Sequence, residues 1–350
     1  MTLLGEGASQ VKLASLWCTF SPMQEIQGVI GHDWAVQRLQ QAIVNGQLAQ
    51  SHLFVGPPSI GKATLALATA QMVLAHGASD PQRAARLVMQ RRHPDLTWVA
   101  PENAGDAIKV DVVRELLRSL SLAPVEGRYR VAVIDDAHLM SDSSKNAILK
   151  TLEEPNPSVV LILIAPSVDT VLPTISSRCQ VLNLRSAPIA ALVTALQARN
   201  IASDKATFVA RLARGRVGWA LRAIADDDLL ETRNQQLTDL QSMIGANRTT
   251  RFAYAEKMAK QDSSVLQEIL QEWLLLWRDV VQRMESHSDV PMARSIDFLA
   301  LIDRLAAMVP LSTAHNTLVA ITQTMKLLSQ NVNPRLALDV LLLKMPYLPF

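Results

Sequence analysis

The sequence contains only two cysteines among 350 residues, Cys18 and Cys179. Two thiols are too few for a four-thiolate zinc site or a disulfide framework, so we expect no zinc. Neither positive nor negative charge is in large excess, since the formal net charge is +2 and the pI is about 8.6. This balance gives no strong nucleic-acid signature by itself. Scarce cysteine is compatible with a reducing cytoplasm, which is the location we expect.

Long hydrophobic runs are missing as well. The longest reads VVLILIAP at residues 159–166 and is far shorter than the roughly 20 residues of a membrane helix. The first residues lack a signal pattern, so we expect no membrane association. Aromatic residues make up 4% of the chain, whereas 49% of it is hydrophobic and rich in alanine and leucine. This composition favours helices with sizeable cores, and the length suggests two or three domains.

A glycine-rich segment follows an apolar stretch at residues 52–65, which read HLFVGPPSIGKATL. The arrangement predicts a strand, a phosphate-binding loop and a helix that begins at Lys62. The phosphate-loop pattern is Gly, four residues, Gly-Lys and then a hydroxyl residue that holds magnesium. Gly56, Gly61 and Lys62 fit this pattern, whereas Ala63 replaces the hydroxyl residue. The intact positions predict phosphate binding, and a glycine-rich turn without a ligand is the structural alternative.

Anion binding by such a loop does not depend on the missing hydroxyl. Backbone amides and the positive end of the following helix attract phosphate whatever the side chains are. Lys62 adds a mobile positive charge. Thr64 cannot replace the missing ligand, because one further helical residue rotates the side chain by about 100°. We therefore expect phosphate binding with a weakened grip on magnesium.

A second apolar stretch ends in two carboxylates at residues 130–140, which read RVAVIDDAHLM. An acidic residue at the carboxyl end of a buried parallel strand lies where ligands bind, and in phosphate-loop proteins it holds magnesium. Asp135 is the candidate for that role. Asp136 takes the place where an active ATPase commonly has a glutamate that orients water. The structural alternative is that both aspartates cap the following turn.

These segments and five others resemble one family. The further segments are IGH at 30–32, HPDL at 93–96, IKVDVVRELLRSLSLAP at 108–124, NAILKTLEEP at 146–155 and TISSRC at 174–179. Together they strongly resemble bacterial AAA+ clamp-loader subunits, which load the sliding clamp for DNA polymerase III, and most closely the delta-prime group. The similarity is dense over residues 26–185 and looser from there to residue 344.

The resemblance implies nucleotide-binding positions at Gly56, Pro57, Pro58, Gly61, Lys62, Ala63, Thr64, Asp135 and Asp136, with ATP and magnesium as the ligands. It also implies four departures from an active family member: Ala63, Asp136, Ala165 with Pro166 in place of a γ-phosphate-sensing threonine, and Gly218 in place of a sensing arginine. Ser167, Arg216 and Arg222 lie near these places without matching them. Because such contacts govern rate more than ground-state binding, we expect a degenerate ATPase with weak or absent turnover.

One arginine is a feature that active family members also have. The family uses the arginine of its Ser-Arg-Cys sequence as a finger that reaches the neighbouring subunit's nucleotide, which assigns a catalytic role in trans to Arg178. Such a finger is worth about a thousandfold or more in rate. The structural alternative for Arg178 is an ion pair at the start of a strand.

Other family features are absent or ambiguous. Many relatives carry four cysteines before HPDL, whereas residues 75–96 contain none, which leaves His93 as a hydrogen-bonded structural histidine. Two basic clusters stand out: Arg83, Arg86, Arg91 and Arg92, and then Lys109, Arg114 and Arg118. We interpret the first as a solvated face. The second is a candidate for salt-dependent contact with the DNA backbone.

The expected architecture is an α/β AAA+ module, with a parallel sheet flanked by helices, followed by a helical lid and an all-α collar domain. We place an unmatched N-terminal extension at 1–24, the nucleotide-binding domain at 25–185, the lid at 186–238 and the collar at 239–350. In the collar, Trp273 and Trp277 lie four residues apart on one helical face. A core stripe explains this spacing, with partner contact as the alternative.

The predicted function is that of a clamp-loader subunit that supports loading of the sliding clamp onto primed DNA during replication. The implied partners are gamma/tau-type ATPases, the delta subunit, the clamp through the complex, and primer-template DNA. The alternative is a catalytically active clamp-loader ATPase. A phosphate-loop kinase is a third reading, which the TLEEP and Ser-Arg-Cys sequences and the helical second half disfavour.

Overall fold

The computed structural model describes residues 29–103, 105–226, 228–285, 295–330 and 332–348. The predicted extension 1–24, with Cys18, lies outside these residues. The chain divides into two compact units, the first ending at Ala187 and the second beginning at Pro188.

The first unit alternates strands and helices. In chain order these are α1 (Asp33–Val44), β1 (Ser51–Val55), α2 (Lys62–Ala75), α3 (Pro81–Met89), β2 (Leu96–Val99), α4 (Val110–Leu120), β3 (Arg130–Ile134), α5 (Asp142–Glu153), β4 (Val159–Ala165), α6 (Pro173–Ser176) and β5 (Gln180–Asn183). Two short 3-10 turns, Ala137–Leu139 and Val168–Thr170, follow β3 and β4. The predicted strands at the phosphate loop, the two aspartates and VVLILIAP are confirmed, as is the helix that begins at Lys62.

All five strands form one parallel sheet in the order β2, β3, β4, β1, β5. The three central strands are buried along their whole length, whereas β2 and β5 at the edges are partly exposed. This explains the unbroken apolar run of β4, since a strand covered on both faces needs apolar residues at every position.

Alternate side chains of the strands enter two separate cores. On one face, residues such as Phe54 and Ile162 pack with α1, α2 and α3. On the other, residues such as Leu53 and Ile134 pack with α4, α5 and α6. The first unit is therefore a three-layer arrangement, and its carboxyl edge carries both the phosphate loop and the two aspartates.

The second unit is helical. Its helices are α7 (Ile189–Gln197), α8 (Ser203–Ala213), α9 (Val217–Ala225), α10 (Asp228–Gly245), α11 (Arg248–Met258), α12 (Ser263–Glu285), α13 (Leu299–Met308), α14 (Leu311–Ser329) and α15 (Pro334–Lys344). A 3-10 turn, Ile296–Phe298, precedes α13. The helix α10 crosses residue 238, so the predicted division between lid and collar at that residue stays a prediction.

The two tryptophans of α12 form the centre of the C-terminal core. Trp273 and Trp277 are fully buried among apolar residues of α10 to α15. The Trp273 indole donates to Gln236 O at 3.0 Å and stacks on Tyr254 with ring centroids 6.3 Å apart. The prediction of a core stripe at this spacing is confirmed.

In the described part of the chain, no single helix has the length and apolarity to cross a membrane. The neighbouring helices α13 and α14 meet these criteria only when taken together, across a bend of 120°.

Candidate functional site

The phosphate-loop segment connects the end of β1 with the start of α2. Gly56 N donates to Pro166 O at 3.1 Å, which fixes the start of the loop against the end of β4. Gly56 has a φ of +154°, and a Cβ there would lie 2.5 Å from Leu184 O and 2.5 Å from Ile60 Cδ1. Only glycine therefore fits at the position where the loop leaves the sheet.

A residue outside the phosphate-loop pattern supports the far side of the loop. His32 is 1% exposed, and its Nε2 lies 2.9 Å from Ile60 O. Its Cδ2 would also lie 3.9 Å from a Cβ at Gly61. The IGH segment, which entered only through the family resemblance, thus packs directly on the loop.

Lys62 is folded back onto the loop. Its Nζ donates to Gly56 O at 2.7 Å and to Pro57 O at 2.9 Å. Burial lowers the pKa of Lys62, while the charges of Asp136 and Asp135 act in the opposite direction. The ammonium group therefore contacts the loop carbonyls and is influenced by the charges of the two carboxylates.

The first turn of α2 is open to an anion. Gly61 occupies the N-cap with φ +104°, and no side chain caps the helix. Its first amides therefore point toward the loop without a side-chain acceptor, which is the arrangement that holds phosphate. Ala63 packs against the neighbouring core and offers no oxygen to a metal. The residues present thus fit a phosphate group better than they fit magnesium.

The two aspartates lie at the carboxyl end of β3 as predicted. Asp135 Oδ1 accepts from the Asp136 amide at 3.1 Å, and Asp136 adopts a left-handed conformation with φ 51°. Burial raises the pKa of Asp135, and the neighbouring charge of Asp136 adds to the effect. The Asp135 carboxylate can act as a metal ligand, but α2 contributes no hydroxyl at residue 63.

The positions of the predicted sensor residues lie in different units. In the sheet, Ala165 pairs in register with Val55 and is fully buried, so it presents no hydroxyl to the loop. Gly218 lies in the first turn of α9 in the second unit. The nearby Arg216 is tied to Glu272 at 3.4 Å and to Ala213 O at 3.1 Å, so its guanidinium is already used within that unit.

Arg178 lies near the amino-terminal ends of the parallel strands, whereas the phosphate loop lies at their carboxyl-terminal ends. The strand that follows it begins at Gln180, which pairs with His52 at the start of β1, whereas the loop begins at Gly56 after that strand ends. Four residues of strand separate the two ends by about 13 Å. Arg178 is exposed and forms an ion pair with Glu153, Nη2 to Oε1 at 2.9 Å. The structural alternative for Arg178, an ion pair, is thus present within the chain.

Sequence reasoning missed Glu153 as a partner of Arg178. The two residues are 25 positions apart, and no periodic pattern links a helix end to a later turn. Glu153 belongs to the TLEEP segment, so the only available signal was that both residues lie in motifs of the same family.

The remaining predicted residues have structural surroundings. His93 is 2% exposed and its Nδ1 accepts from the Asp95 amide at 3.1 Å, which confirms a hydrogen-bonded structural histidine. Within the described ranges, no three His, Cys, Asp or Glu side chains converge in a metal-binding arrangement. The members of the two basic clusters are exposed. In the first, Arg83 pairs with Glu126 at 2.9 Å and Arg91 lies 4.0 Å from the ring centroid of Trp98.

Comparison with known proteins shows which family the first unit resembles. The family described as DNA polymerase III, delta subunit matches residues 31–188, which cover nearly all described residues of the first unit. The DNA polymerase III subunit delta' of Pseudomonas aeruginosa is 35% identical over 153 residues, covering 42% of this chain and 47% of that protein. The subunit delta' of Bacillus subtilis (strain 168) is 26% identical over 302 residues, covering 84% of this chain and 90% of that protein. Residues 31–188 of this chain are thus similar to the DNA polymerase III, delta subunit family, and the likeness to a delta' subunit extends over most of the chain in the Bacillus subtilis protein.

Another DNA polymerase III subunit is similar over part of this chain. The DNA polymerase III subunit tau of Bacillus subtilis (strain 168) is 30% identical over 168 residues, covering 47% of this chain and 30% of that protein. The chain spans about half the length of the first two curated relatives it matches, at 47% and 44%. The family match at residues 31–188 lies almost wholly in the unit that carries the phosphate loop and Arg178.

Proposed function

We propose that this chain occupies the delta-prime position of a DNA polymerase III clamp loader and lends Arg178 to the nucleotide of a neighbouring subunit. The observation that supports this most directly is the placement of Arg178. It is exposed at the amino edge of the sheet, while the chain's own phosphate loop lies at the carboxyl edge. An arginine in that place cannot serve the nucleotide of its own loop, but it can serve one that is held next door.

The condition of the chain's own site supports the same proposal. The loop backbone, Lys62 and Asp135 are in place, whereas residue 63 lacks a hydroxyl and residue 165 is a buried alanine. Groups that contact phosphate in the ground state are retained, and groups that contact the transferring phosphoryl group are missing. We propose a site that binds nucleotide weakly, with ATP and magnesium as ligands, and turns it over slowly or not at all.

The partners follow from the same proposal. The chain would assemble with gamma/tau-type ATPases and the delta subunit, contact the sliding clamp through that complex, and share primer-template DNA as a ligand. The location would be cytoplasmic. The exposed cluster of Lys109, Arg114 and Arg118 is the proposed DNA-facing surface, where binding would weaken as salt rises.

An ATPase assay of the reconstituted complex tests the finger. Arg178→Ala should lower clamp-dependent ATP turnover by about a thousandfold at the neighbouring site, the lower range of arginine-finger effects. Arg178→Lys should rescue little, because an ammonium lacks the planar fork that matches phosphate. Arg128→Ala is the matched control, since Arg128 is an exposed arginine before β3 at the same edge of the sheet. Wild-type turnover by the Arg178→Ala complex would remove the proposed role.

One observation favours the second candidate, a motor that hydrolyses ATP on its own. No side chain caps the first turn of α2, and Lys62 contacts the loop carbonyls while the charges of Asp136 and Asp135 favour its charged form. Calorimetry of the isolated chain with and without magnesium separates the two candidates. Tight magnesium-dependent binding, together with turnover that disappears in Lys62→Ala, would favour the motor.

A further inference from the structure

The guanidinium of Arg178 contacts three acceptors within the chain. Nη2 donates to Glu153 Oε1 at 2.9 Å, and Nη1 donates to Thr174 O at 2.9 Å. A longer contact of 3.5 Å joins Nη1 to Ser177 Oγ. Thr174 and Ser177 belong to the same turn as the arginine, whereas Glu153 comes from a different helix. Glu153 is therefore the only one of these three acceptors that restrains the side chain from outside its own turn.

The position of Glu153 is unfavourable for the helix that carries it. It is the last residue of α5, where the helix dipole disfavours a negative charge. The following residue, Glu154, places a second carboxylate at the same helix end. The ion pair with Arg178 offsets this unfavourable negative charge, so the contact stabilises the end of α5 as well as the orientation of the arginine.

The contact leaves part of the arginine free to bind a second anion. A guanidinium has five N–H donors in a fixed fork, and the contacts named above involve only Nη1 and Nη2. Both partners of the ion pair are partly exposed, with side-chain accessibilities of 36% for Arg178 and 52% for Glu153. A phosphate group can thus bind the N–H donors that these contacts leave unused while the carboxylate keeps its hydrogen bond to Nη2.

We propose that Glu153 is a positioning residue for the arginine finger. It limits the rotamers of Arg178 before the subunits dock, so that the guanidinium meets the neighbouring nucleotide already oriented. This inference rests on the proposed function of Arg178 and adds to it the residue that sets its direction. Preorientation matters because a donor that must first be ordered stabilises the transition state less, since part of the free energy of the contact is spent on ordering it.

The expected effect of removing the carboxylate is small and specific. Glu153→Gln keeps the size of the side chain but removes its charge, so the ion pair becomes a weaker neutral contact. In the assembled complex, this variant should lower kcat for ATP by about fivefold, the rate equivalent of the upper range of exposed ion-pair strength. KM for ATP should stay unchanged, because the contact that Arg178 makes with the neighbouring nucleotide strengthens in the transition state.

Four complexes test the proposal: wild type, Glu153→Gln, Arg178→Ala and the double variant. If Glu153 acts through Arg178, Glu153→Gln lowers kcat in the wild-type background and has no further effect in the Arg178→Ala background. Glu153→Asp should restore part of the lost rate, because it restores the charge. Glu154→Gln is the matched control at the same helix end and should behave as wild type.

The outcomes separate the two claims. Wild-type kcat in the Glu153→Gln complex overturns the positioning role even if Arg178→Ala is strongly impaired. An equal loss on both backgrounds also overturns it, because the glutamate then acts on folding or assembly. If Arg178→Ala itself has wild-type turnover, the proposed function fails first and the positioning role fails with it. Assembly and thermal unfolding of each variant are measured beside the rates.

Discussion

Arg214 donates from Nη2 to Asp279 Oδ2 at 2.7 Å, and both side chains are buried within the second unit. The same nitrogen also donates to Ser295 Oγ at 2.9 Å, and the Ser295 amide donates to Asp279 Oδ2 at 3.0 Å. Burial lowers the pKa of Arg214 to about 10, while the charge of Asp279 acts to raise it. The pair joins the turn after α8 to the second half of α12 by a buried hydrogen bond.

Removing one member of this pair should destabilise the second unit strongly. Arg214→Met leaves the buried Asp279 carboxylate without its cation, a change that typically costs about 3 to 5 kcal/mol. The double variant Arg214→Met with Asp279→Leu should recover most of this loss, because no unpaired charge remains. Urea unfolding of the single and double variants, followed by circular dichroism, measures both effects.

An exposed ion pair in the same unit provides the control. Arg283 pairs with Asp303 at 2.8 Å, and the two side chains are 41% and 53% exposed. Arg283→Met should therefore cost about 1 kcal/mol or less. Similar losses at Arg214 and Arg283 would contradict the view that burial sets the cost.

Acid should weaken the first unit through His52. This residue is fully buried in β1, and burial lowers its pKa from 6.5 to about 4. Because the unfolded chain then binds a proton more readily, the contribution of His52 is complete above pH 6.5 and is lost as the pH falls toward 4. Between pH 8 and pH 5 the loss should be about 2 kcal/mol.

The pH dependence of urea unfolding tests this. His52→Leu should lose less stability than wild type between the two pH values, whatever its stability at pH 8. His315→Gln, at an exposed position in the other unit, serves as the control and should keep the wild-type slope. An unchanged slope in His52→Leu would assign the acid sensitivity to other groups.

The parts of the fold that follow local patterns were predictable from the sequence. The strand before Gly56, the helix that begins at Lys62 and the carboxylates after β3 each depend on residues that are near in sequence. The run VVLILIAP likewise has one explanation, a central strand buried on both faces. These elements define the carboxyl edge of the sheet and therefore the candidate nucleotide site.

Contacts between distant charged residues could not be predicted in the same way. Arg233 is 5% exposed and pairs with Glu272 and Asp297, although the sequence around it is polar and is typical of a solvated helix. The break between α8 and α9 is likewise not predictable from a local pattern, because it depends on Arg214 and Gly215 both having positive φ. A non-glycine residue adopts that conformation when tertiary contacts hold it there, and those contacts are not visible locally.

The entry into the phosphate loop should tolerate no side chain at residue 56. In Gly56→Ala, the new Cβ would meet the carbonyl oxygen of Leu184 at 2.5 Å, so the backbone must shift. We expect a loss of about 2 kcal/mol or more in the free energy of unfolding. Gly46→Ala is the matched control, because Gly46 has a positive φ of 66° but nothing lies within 4 Å of its Cβ position. That variant should lose only about 1 kcal/mol, the cost of the left-handed conformation.

Restoring the missing hydroxyl should restore a magnesium effect. In Ala63→Thr, the second residue of α2 gains an oxygen on the helix turn that follows the phosphate loop. We expect magnesium to tighten ATP binding by about tenfold in this variant, equivalent to one contact with a charged group. Turnover should remain low, because Asp136 and Ala165 are unchanged and the contacts that act on the transition state are still missing. Calorimetry with and without magnesium, beside a steady-state ATPase assay, measures the two quantities separately.

Thr64→Ala is the control for this experiment. Its hydroxyl lies one residue further along the helix and is rotated by about 100° from the position that a metal ligand needs. Removing it should leave the magnesium dependence of the wild-type chain as it was. If Thr64→Ala abolishes an existing magnesium effect, the threonine is already the ligand and residue 63 is not the defect. If Ala63→Thr instead gains rapid turnover, a single side chain separates this subunit from an active motor, and the other departures have little effect on rate.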